Sequence, residues 1–301
     1  MSEEIAPDWI AVDWGTTNLR AFAMQGSRVL ARAQSEDGMG RLAASEFEAA
    51  LLRLIAGWLD AGKVPVIACG MVGSRQGWVE APYRTVPCTP LSEHLTTAPT
   101  EADLDVRVVS GLSQNSPADV MRGEETQIAG FLALNPGWDG VLCLPGTHTK
   151  WVHLSAGEVV SFQTFMTGEL FALISDRSVL RHSVTGADWD AEAFTTAVAD
   201  AMSHPERLAA RLFGLRADHL LHGTEAAKSR AALSGLLIGA ELAAARAYWL
   251  GQNIAILGTG HQARAYQSAL RPQGLEAMLV DTEKTTLAGL TAAHRQSKVY
   301  T

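Results

Sequence analysis

The 301-residue chain has three cysteines, Cys69, Cys88 and Cys143, widely separated and without a CxxC spacing. That excludes a disulfide framework and a thiolate zinc site, and the thiols read as buried or incidental. No stretch of about 18 apolar residues occurs, so no membrane span is expected. The opening MSEEIAPDWI lacks the basic-then-apolar order of a signal peptide, and the expectation is a soluble, cytoplasmic protein with no membrane partner. Runs of basic residues are missing too: 24 Lys and Arg against 32 Asp and Glu leave a formal charge of -8 spread over short stretches. A nucleic-acid partner, which needs a basic footprint for phosphate contacts, is not expected.

What the chain does have is core material. Hydrophobic residues make up 47%, with eight Trp and 27 Gly, enough for two domains. Residues 9–12 are continuously apolar, 19–24 mostly so, and 28–34 alternate, so the opening reads as three short strands in an antiparallel meander. Ser45 and Glu48 have capping-box spacing ahead of Phe47, Leu51, Leu54, Ile55 and Trp58 at helical intervals. Strands are expected at 64–68, ending in Gly70, and at 106–109, ending at Gly111, with a Pro-rich irregular stretch between them. Residues 124–134 read as a helix stopped by Asn135-Pro136-Gly137. The boundary is placed there, giving domains 1–136 and 137–301.

After the breaker the meander restarts, with strands at 141–144, 151–154 and 158–162. "GTTNLR" from Gly15 and "GTHTKW" from Gly146 are each a Gly-Thr turn followed by a basic residue, Arg20 or Lys150, entering the next strand. The repetition points to an internally duplicated fold. Helices follow Met166, the longest over 229–250. Then come a strand at 254–257, the turn Gly258-Thr259-Gly260, a helix to about Leu270, a strand at 275–280 and a helix from Thr285, an α/β ending.

Gly-Thr turns after strands direct backbone N–H groups and hydroxyls one way, a construction that binds phosphate oxygens. Three such turns, with Asp13 at the first, suit a polyphosphate nucleotide with a metal ion; Asp13 would then hold Mg²⁺ directly or through water. Asp13 also reads as an Asx-turn cap. The segment from Gly258 to Ala263 fits the dinucleotide pattern GxGxxA, with Asp281 at the ribose distance. Only about twenty residues follow Asp281, too few to complete a doubly wound domain, and that reading leaves Asp13 and both hairpins without work.

"DWGTTNLR" resembles the first phosphate motif of the sugar kinase, heat-shock chaperone and actin superfamily, "LPGTHTKW" the second, and "ILGTGHQARAYQSAL" the adenosine motif. "GMVGSRQGW", "VMRGEETQ", "PGTHTKW", "MTGEL" and "SGLLIGAE" narrow the resemblance to the 2-dehydro-3-deoxygalactonokinase family over nearly the whole chain. The resemblance implies two ribonuclease-H-like domains of the actin-like ATPase fold, with a nucleotide cleft between them. It also implies ATP and Mg²⁺ as cofactors and a small sugar-acid substrate phosphorylated on its 6-hydroxyl. Other acceptors remain as alternatives: a different sugar or sugar acid, or a nucleotide-driven sugar-binding regulator. Base rates favour a homodimer.

The same resemblance assigns the phosphate and nucleotide contacts to Gly15, Thr16, Thr17, Asn18 and Arg20, to Gly146, Thr147, His148 and Thr149, and to Gly258, Thr259 and Gly260. It places the base at an acid entering the helix before the second hairpin. Glu124 is our assignment, with Glu125 about 100° away around the helix; either acid is also explained by the helix dipole alone. The sugar acid's carboxylate calls for cations: Arg75, Arg122 and Lys150 are candidates, each otherwise a solvated charge, and Lys150 alternatively faces the phosphates. Gly70, Met71, Gly73 and Ser74 read as a substrate loop or a tight turn, and Thr167 and Glu169 as substrate contacts or a helix cap. Gly235 and Gly239, one turn apart on the long helix, leave a groove for adenine or for another helix. His148 and His261 have no partner at ligand spacing and read as hydrogen-bonding loop residues.

Overall fold

The computed structural model describes residues 5–59 and 64–299. The chain divides into two compact units: the first holds the residues up to Trp138 together with Ser155–Ser161 and the segment from Thr282, and the second holds Asp139–Leu154 and Phe162–Asp281.

In the first unit, β1 (Trp9–Trp14), β2 (Leu19–Gln25) and β3 (Arg28–Ser35) form the expected meander, followed by α1 (Phe47–Ile55) and β4 (Val64–Gly70). The stretch expected to be irregular holds the short strands β5 (Arg84–Thr85) and β6 (Thr96–Thr97). Beyond it lie β7 (Leu104–Val108), β8 (Leu112–Asn115), β9 (Ala118–Met121) and α2 (Glu124–Leu134). The main sheet runs β3-β2-β1-β4-β7-β6, and β5, β8 and β9 make a separate small sheet. β1 is antiparallel to β2 and parallel to β4, and β4 is parallel to β7. Period-two alternation splits β1: Ile10, Val12 and Trp14 pack with Phe47, Leu51 and Ile55 of α1, while Trp9 and Ala11 pack into a second cluster with Ala129 of α2. A strand buried on both faces is continuously apolar, which is why 9–12 is legible as one.

The second unit repeats the plan. β10 (Gly140–Leu144), β11 (Thr149–Ser155), β12 (Glu158–Phe165), β13 (Ile254–Leu257) and β14 (Met278–Val280) are ordered β12-β11-β10-β13-β14. Again the first pair is antiparallel and the next two are parallel. Helices α3 (Thr167–Arg177), α4 (Ala191–Ser203), α5 (Leu208–His222), α6 (Ala226–Ala244), α7 (Arg246–Trp249) and α8 (His261–Leu270) complete it. Five strands in the same order in both sheets, with matching directions at the three pairs around β1 and β10, establish the duplicated ribonuclease-H-like plan of the actin-like ATPase fold; the first sheet adds β6 at its edge. Among the described residues no helix is long and apolar enough to cross a membrane. All three cysteines are free; Cys69 and Cys143 are buried and Cys88 is partly exposed.

Three details depart from the sequence reading. α9 (Thr282–Val299) begins before Thr285 and belongs to the first unit, not the second. Its backbone lies directly on α2: a Cβ on Gly130 would fall 1.8 Å from the Thr285 carbonyl oxygen, and one on Gly289 1.9 Å from that of Thr126. Periodicity marks such a segment as helical without naming the partner its glycines admit. The Ser45–Glu48 capping box does not form. The Glu46 carboxylate accepts from Ala43 N–H at 2.7 Å, and Glu48 instead accepts from the N–H groups of Glu101 and Ala102. The helix expected over 229–250 is interrupted between Ala244 and Arg246.

Candidate active site

β1 carries its apolar run up to Asp13, a polar position at the mouth of the first hairpin turn. The strand register sets Arg20 directly opposite, and its Nη2 donates to Asp13 Oδ2 at 2.5 Å. Burial pushes the Asp13 carboxyl up from its ordinary value, and the guanidinium opposes that shift. The turn is closed by backbone, Gly15 N–H donating to the Asn18 carbonyl at 2.9 Å. Asp13 is therefore partnered by an arginine and does not cap its own turn. Thr16, Thr17 and Asn18 are exposed, and a cavity of about 420 Å³ is lined by Gly15, Thr17, Asn18, Arg20 and Gln34.

β4 ends beside β1, with Gly70 paired to Trp14. Gly70 has φ +92, and a Cβ there would lie 2.6 Å from the Trp14 carbonyl oxygen, so the position requires glycine. Met71–Gly73 make one short 3-10 turn, with Ser74 buried and Arg75 exposed. Arg122 lies beneath this loop. It is buried, its Nη2 donates to the Ala81 carbonyl at 2.7 Å, its guanidinium sits 4.3 Å from the Tyr83 ring centre, and Nη1 would meet a Cβ on Gly73 at 2.8 Å. Arg122 thus supports the loop from below.

Gly123, 3.3 Å from the Gly70 Cα by its would-be Cβ, starts α2. The two acids that follow are in different environments. Glu125 is fully buried and accepts from Gly123 N–H at 2.6 Å and Thr126 Oγ at 3.0 Å. Burial first, and the neighbouring Glu124 second, push its carboxyl up to about 8. Glu124 is half-buried and accepts from Arg122 N–H at 3.0 Å. At neutral pH the pair holds a proton on Glu125. The structure therefore brings Asp13, Arg20, Gly70–Ser74, Arg122 and Glu124 together at one end of the first sheet.

In the second unit the hairpin Gly146–Thr149 meets the start of α3. A Cβ on Gly168 would fall 2.2 Å from the Gly146 carbonyl oxygen, Glu169 N–H donates to the Thr147 carbonyl at 2.9 Å, and His148 Nε2 lies 2.6 Å from Glu169 Oε2. Glu169, expected at the substrate, braces this hairpin through its N–H and its carboxylate, and Thr167, expected there too, lines the cavity beside it. Lys150 is buried and donates to Thr164 Oγ at 2.9 Å. Beside the hairpin is a cavity of about 580 Å³ with Thr147, Thr167, Phe171, Trp189, Ser234 and His261 among its lining residues. Arg230 lies 4.9 Å from the Phe171 ring centre, and Trp189 meets His261 edge-on at 4.3 Å. Two aromatic faces, a Gly-Thr hairpin and a Ser hydroxyl suit a nucleoside.

The adenine groove expected at Gly235 and Gly239 is already filled. Cβ atoms there would lie 2.5 Å from the Phe194 carbonyl and 2.6 Å from that of Val198, so α4 packs into it. The neighbouring α6 residues Ser234, Leu237 and Ile238 line the cavity instead. Gly258 donates its N–H to Val280, and Gly260 caps α8, whose first residues His261 and Gln262 reach the cavity.

One functional group escaped the sequence reading. Glu241, 3% exposed, accepts from Trp151 Nε1 at 2.7 Å, Tyr266 OH at 2.6 Å and Thr167 Oγ, and Tyr266 OH is 2.9 Å from Thr149 Oγ. Its signal was a lone acid inside the apolar run "GLLIGAELAA", where an ionisable residue requires partners. Among the described residues no group of three or more His, Cys, Asp or Glu could hold a metal. A hard cation that keeps most of its waters and takes one carboxylate plus phosphate oxygens fits Asp13.

The family model for 2-keto-3-deoxy-galactonokinase matches residues 13–293. A Rhizobium meliloti (strain 1021) protein assigned as a 2-dehydro-3-deoxygalactonokinase is 42% identical, over 95% of this chain and 96% of its own length. The Escherichia coli (strain K12) 2-dehydro-3-deoxygalactonokinase is 38% identical, over 94% of this chain and 96% of its own. The crystal structure of a Sinorhizobium meliloti protein with the same assignment superposes with a TM-score of 0.90 at 40% identity, covering 95% of this chain and 98% of the other. The chain belongs to the 2-keto-3-deoxy-galactonokinase family.

Proposed function

We propose that this chain transfers the γ-phosphoryl group of ATP to the 6-hydroxyl of 2-dehydro-3-deoxy-D-galactonate, giving the 6-phosphate and ADP in galactonate breakdown. Family membership supports the reaction. The observation that carries the residue roles is the split acid pair at the head of α2: a half-buried Glu124 beside a Glu125 that burial keeps protonated. A neutral Glu125 leaves Glu124 as the candidate base of the pair.

In this reading Glu124 accepts the proton of the 6-hydroxyl as its oxygen forms the new bond to the γ-phosphorus, and ADP leaves with the electrons of the broken bond. Gly15, Thr16, Thr17 and Asn18, with Gly146, Thr147, His148 and Thr149, offer N–H and hydroxyl groups to phosphate oxygens, and Arg20 orients Asp13. Asp13 would hold Mg²⁺ through water; the ion's contribution is to neutralise phosphate charge. The 580 Å³ cavity takes the adenosine, and Gly258, Thr259 and Gly260 set the entry of α8 beside it. Gly70, Met71, Gly73 and Ser74 form the sugar-acid loop, with exposed Arg75 as the cation for its carboxylate and Arg122 as that loop's support. Lys150 and Glu169 shape the second hairpin, and Thr167 lines the cavity beside it. The reading also carries the expectations of a cytoplasmic enzyme and a homodimer.

The test is ADP release from MgATP by the purified protein with 2-dehydro-3-deoxy-D-galactonate, with its gluconate epimer, or with no sugar acid. Release that depends on the galactonate form is expected. Release indifferent to sugar acid would remove the kinase reading in favour of a nucleotide-driven regulator.

A further inference from the structure

Glu241, the last residue of "SGLLIGAE", sits in the second unit's polar network and has no role assigned in the proposed reaction. Four elements converge on it: Trp151 from β11, Thr167 from the first turn of α3, Tyr266 from α8, and α6 itself. Burial pushes the Glu241 carboxyl up from its ordinary value, and hydrogen bonds from Thr167, Tyr266 and Trp151 oppose that shift; all three of these partners donate to it. The remaining directions follow. Tyr266 spends its one proton on Glu241, so Thr149 must donate to the Tyr266 oxygen. Thr167 spends its proton on Glu241 as well, and Thr167 and Tyr266 both line the 580 Å³ cavity. With its proton turned inward, the Thr167 hydroxyl presents only lone pairs to a ligand, while its position is fixed from behind.

We propose that Glu241 is a positioning residue for nucleotide binding, which orders the Thr149–Tyr266–Thr167 hydroxyls so that the cavity wall offers a fixed acceptor at Thr167 to a donor group of the nucleotide or its bound water. The inference rests on the nucleotide reading of that cavity. A carboxylate is needed for it. A glutamine accepts through one oxygen and donates through its nitrogen, so one of the three donors now pointing at Glu241 must turn away or lose its partner.

The experiment is calorimetric titration of the full chain with MgADP, run on the wild type, Glu241→Gln, Thr167→Val and the double variant, alongside ATP kinetics. Glu241→Gln is expected to weaken MgADP about tenfold and to raise the KM for ATP, with kcat at saturating ATP within about threefold. Since Glu241 acts through Thr167, the double variant should bind no more weakly than Glu241→Gln alone. Binding by Glu241→Gln within about twofold of wild type, or fully additive losses in the double variant, would overturn the proposal. Should Glu241→Gln fail to fold, Thr167→Val and Tyr266→Phe carry the test, and unchanged MgADP binding in both would overturn it. A wild type that does not bind MgADP would overturn the nucleotide reading and this inference with it. Wild-type binding with an unaffected Glu241→Gln overturns the inference alone.

Discussion

The first hairpin of each unit occupies the same place in the same sheet order, yet the two treat charge in opposite ways. At the mouth of the first, the basic residue entering the second strand faces an acid, Arg20 opposite Asp13. At the mouth of the second, it faces a hydrocarbon, Lys150 opposite Leu144, and its amine turns to Thr164 on the next strand. Besides Glu169, a second carboxylate of this unit, that of Glu241, is sunk behind the hairpin, where it orders hydroxyls without reaching a ligand. Duplication has preserved the backbone that aims N–H groups past the strand ends, and the side chains have diverged. In our account the first unit carries the metal-facing acid and the base, and the second carries the second phosphate hairpin and the nucleoside cavity.

The sharpest way to break that division is at Glu124. Glu124→Gln should lower kcat by about 10² or more while MgADP binding stays near wild type; unchanged turnover would take the base role away from the first unit. Next in size is Asp13→Asn, expected to lower activity at limiting magnesium by about tenfold. Normal magnesium dependence in that variant would make the two hairpins equivalent. Packing within the first unit can be tested at Gly130→Val, which thrusts side-chain atoms into the Thr285 backbone. A loss of about 3 kcal/mol in unfolding free energy is expected by chemical denaturation, and an unchanged midpoint would contradict the α2–α9 contact.

A further effect concerns pH. Glu125 is raised from 4.5 to about 8, so the folded chain holds a proton that the unfolded chain releases. Its contribution to stability is complete below about pH 4.5 and is lost as pH rises through about 8. Glu125→Gln should flatten the fall in thermal midpoint between about pH 4.5 and 8. A wild-type slope retained in that variant would place the titrating group elsewhere.

Much of this was legible in the sequence because it is written locally. β1, the Gly-Thr hairpins and the Gly123 entry into α2 announce themselves through short apolar runs and turn residues, and Asp13 and Glu124 fall at positions those elements define. What was not legible depends on partners distant in sequence. Gly235 and Gly239 say that something approaches closely, and only the fold identifies it as α4. Gly130 and Gly289 hold the same kind of information about α9. Trp189 and Phe171 look like ordinary aromatics until the fold turns them to one cavity, and Glu48 has capping spacing but finds better donors at Glu101 and Ala102.

The most direct measurement of the central claim is the ³¹P spectrum of the product made from MgATP and 2-dehydro-3-deoxy-D-galactonate. The account predicts one equivalent of ADP and a new phosphomonoester resonance split by the two protons on C6. A resonance coupled to a single proton, or ADP formed with no phosphorylated sugar acid, would contradict it.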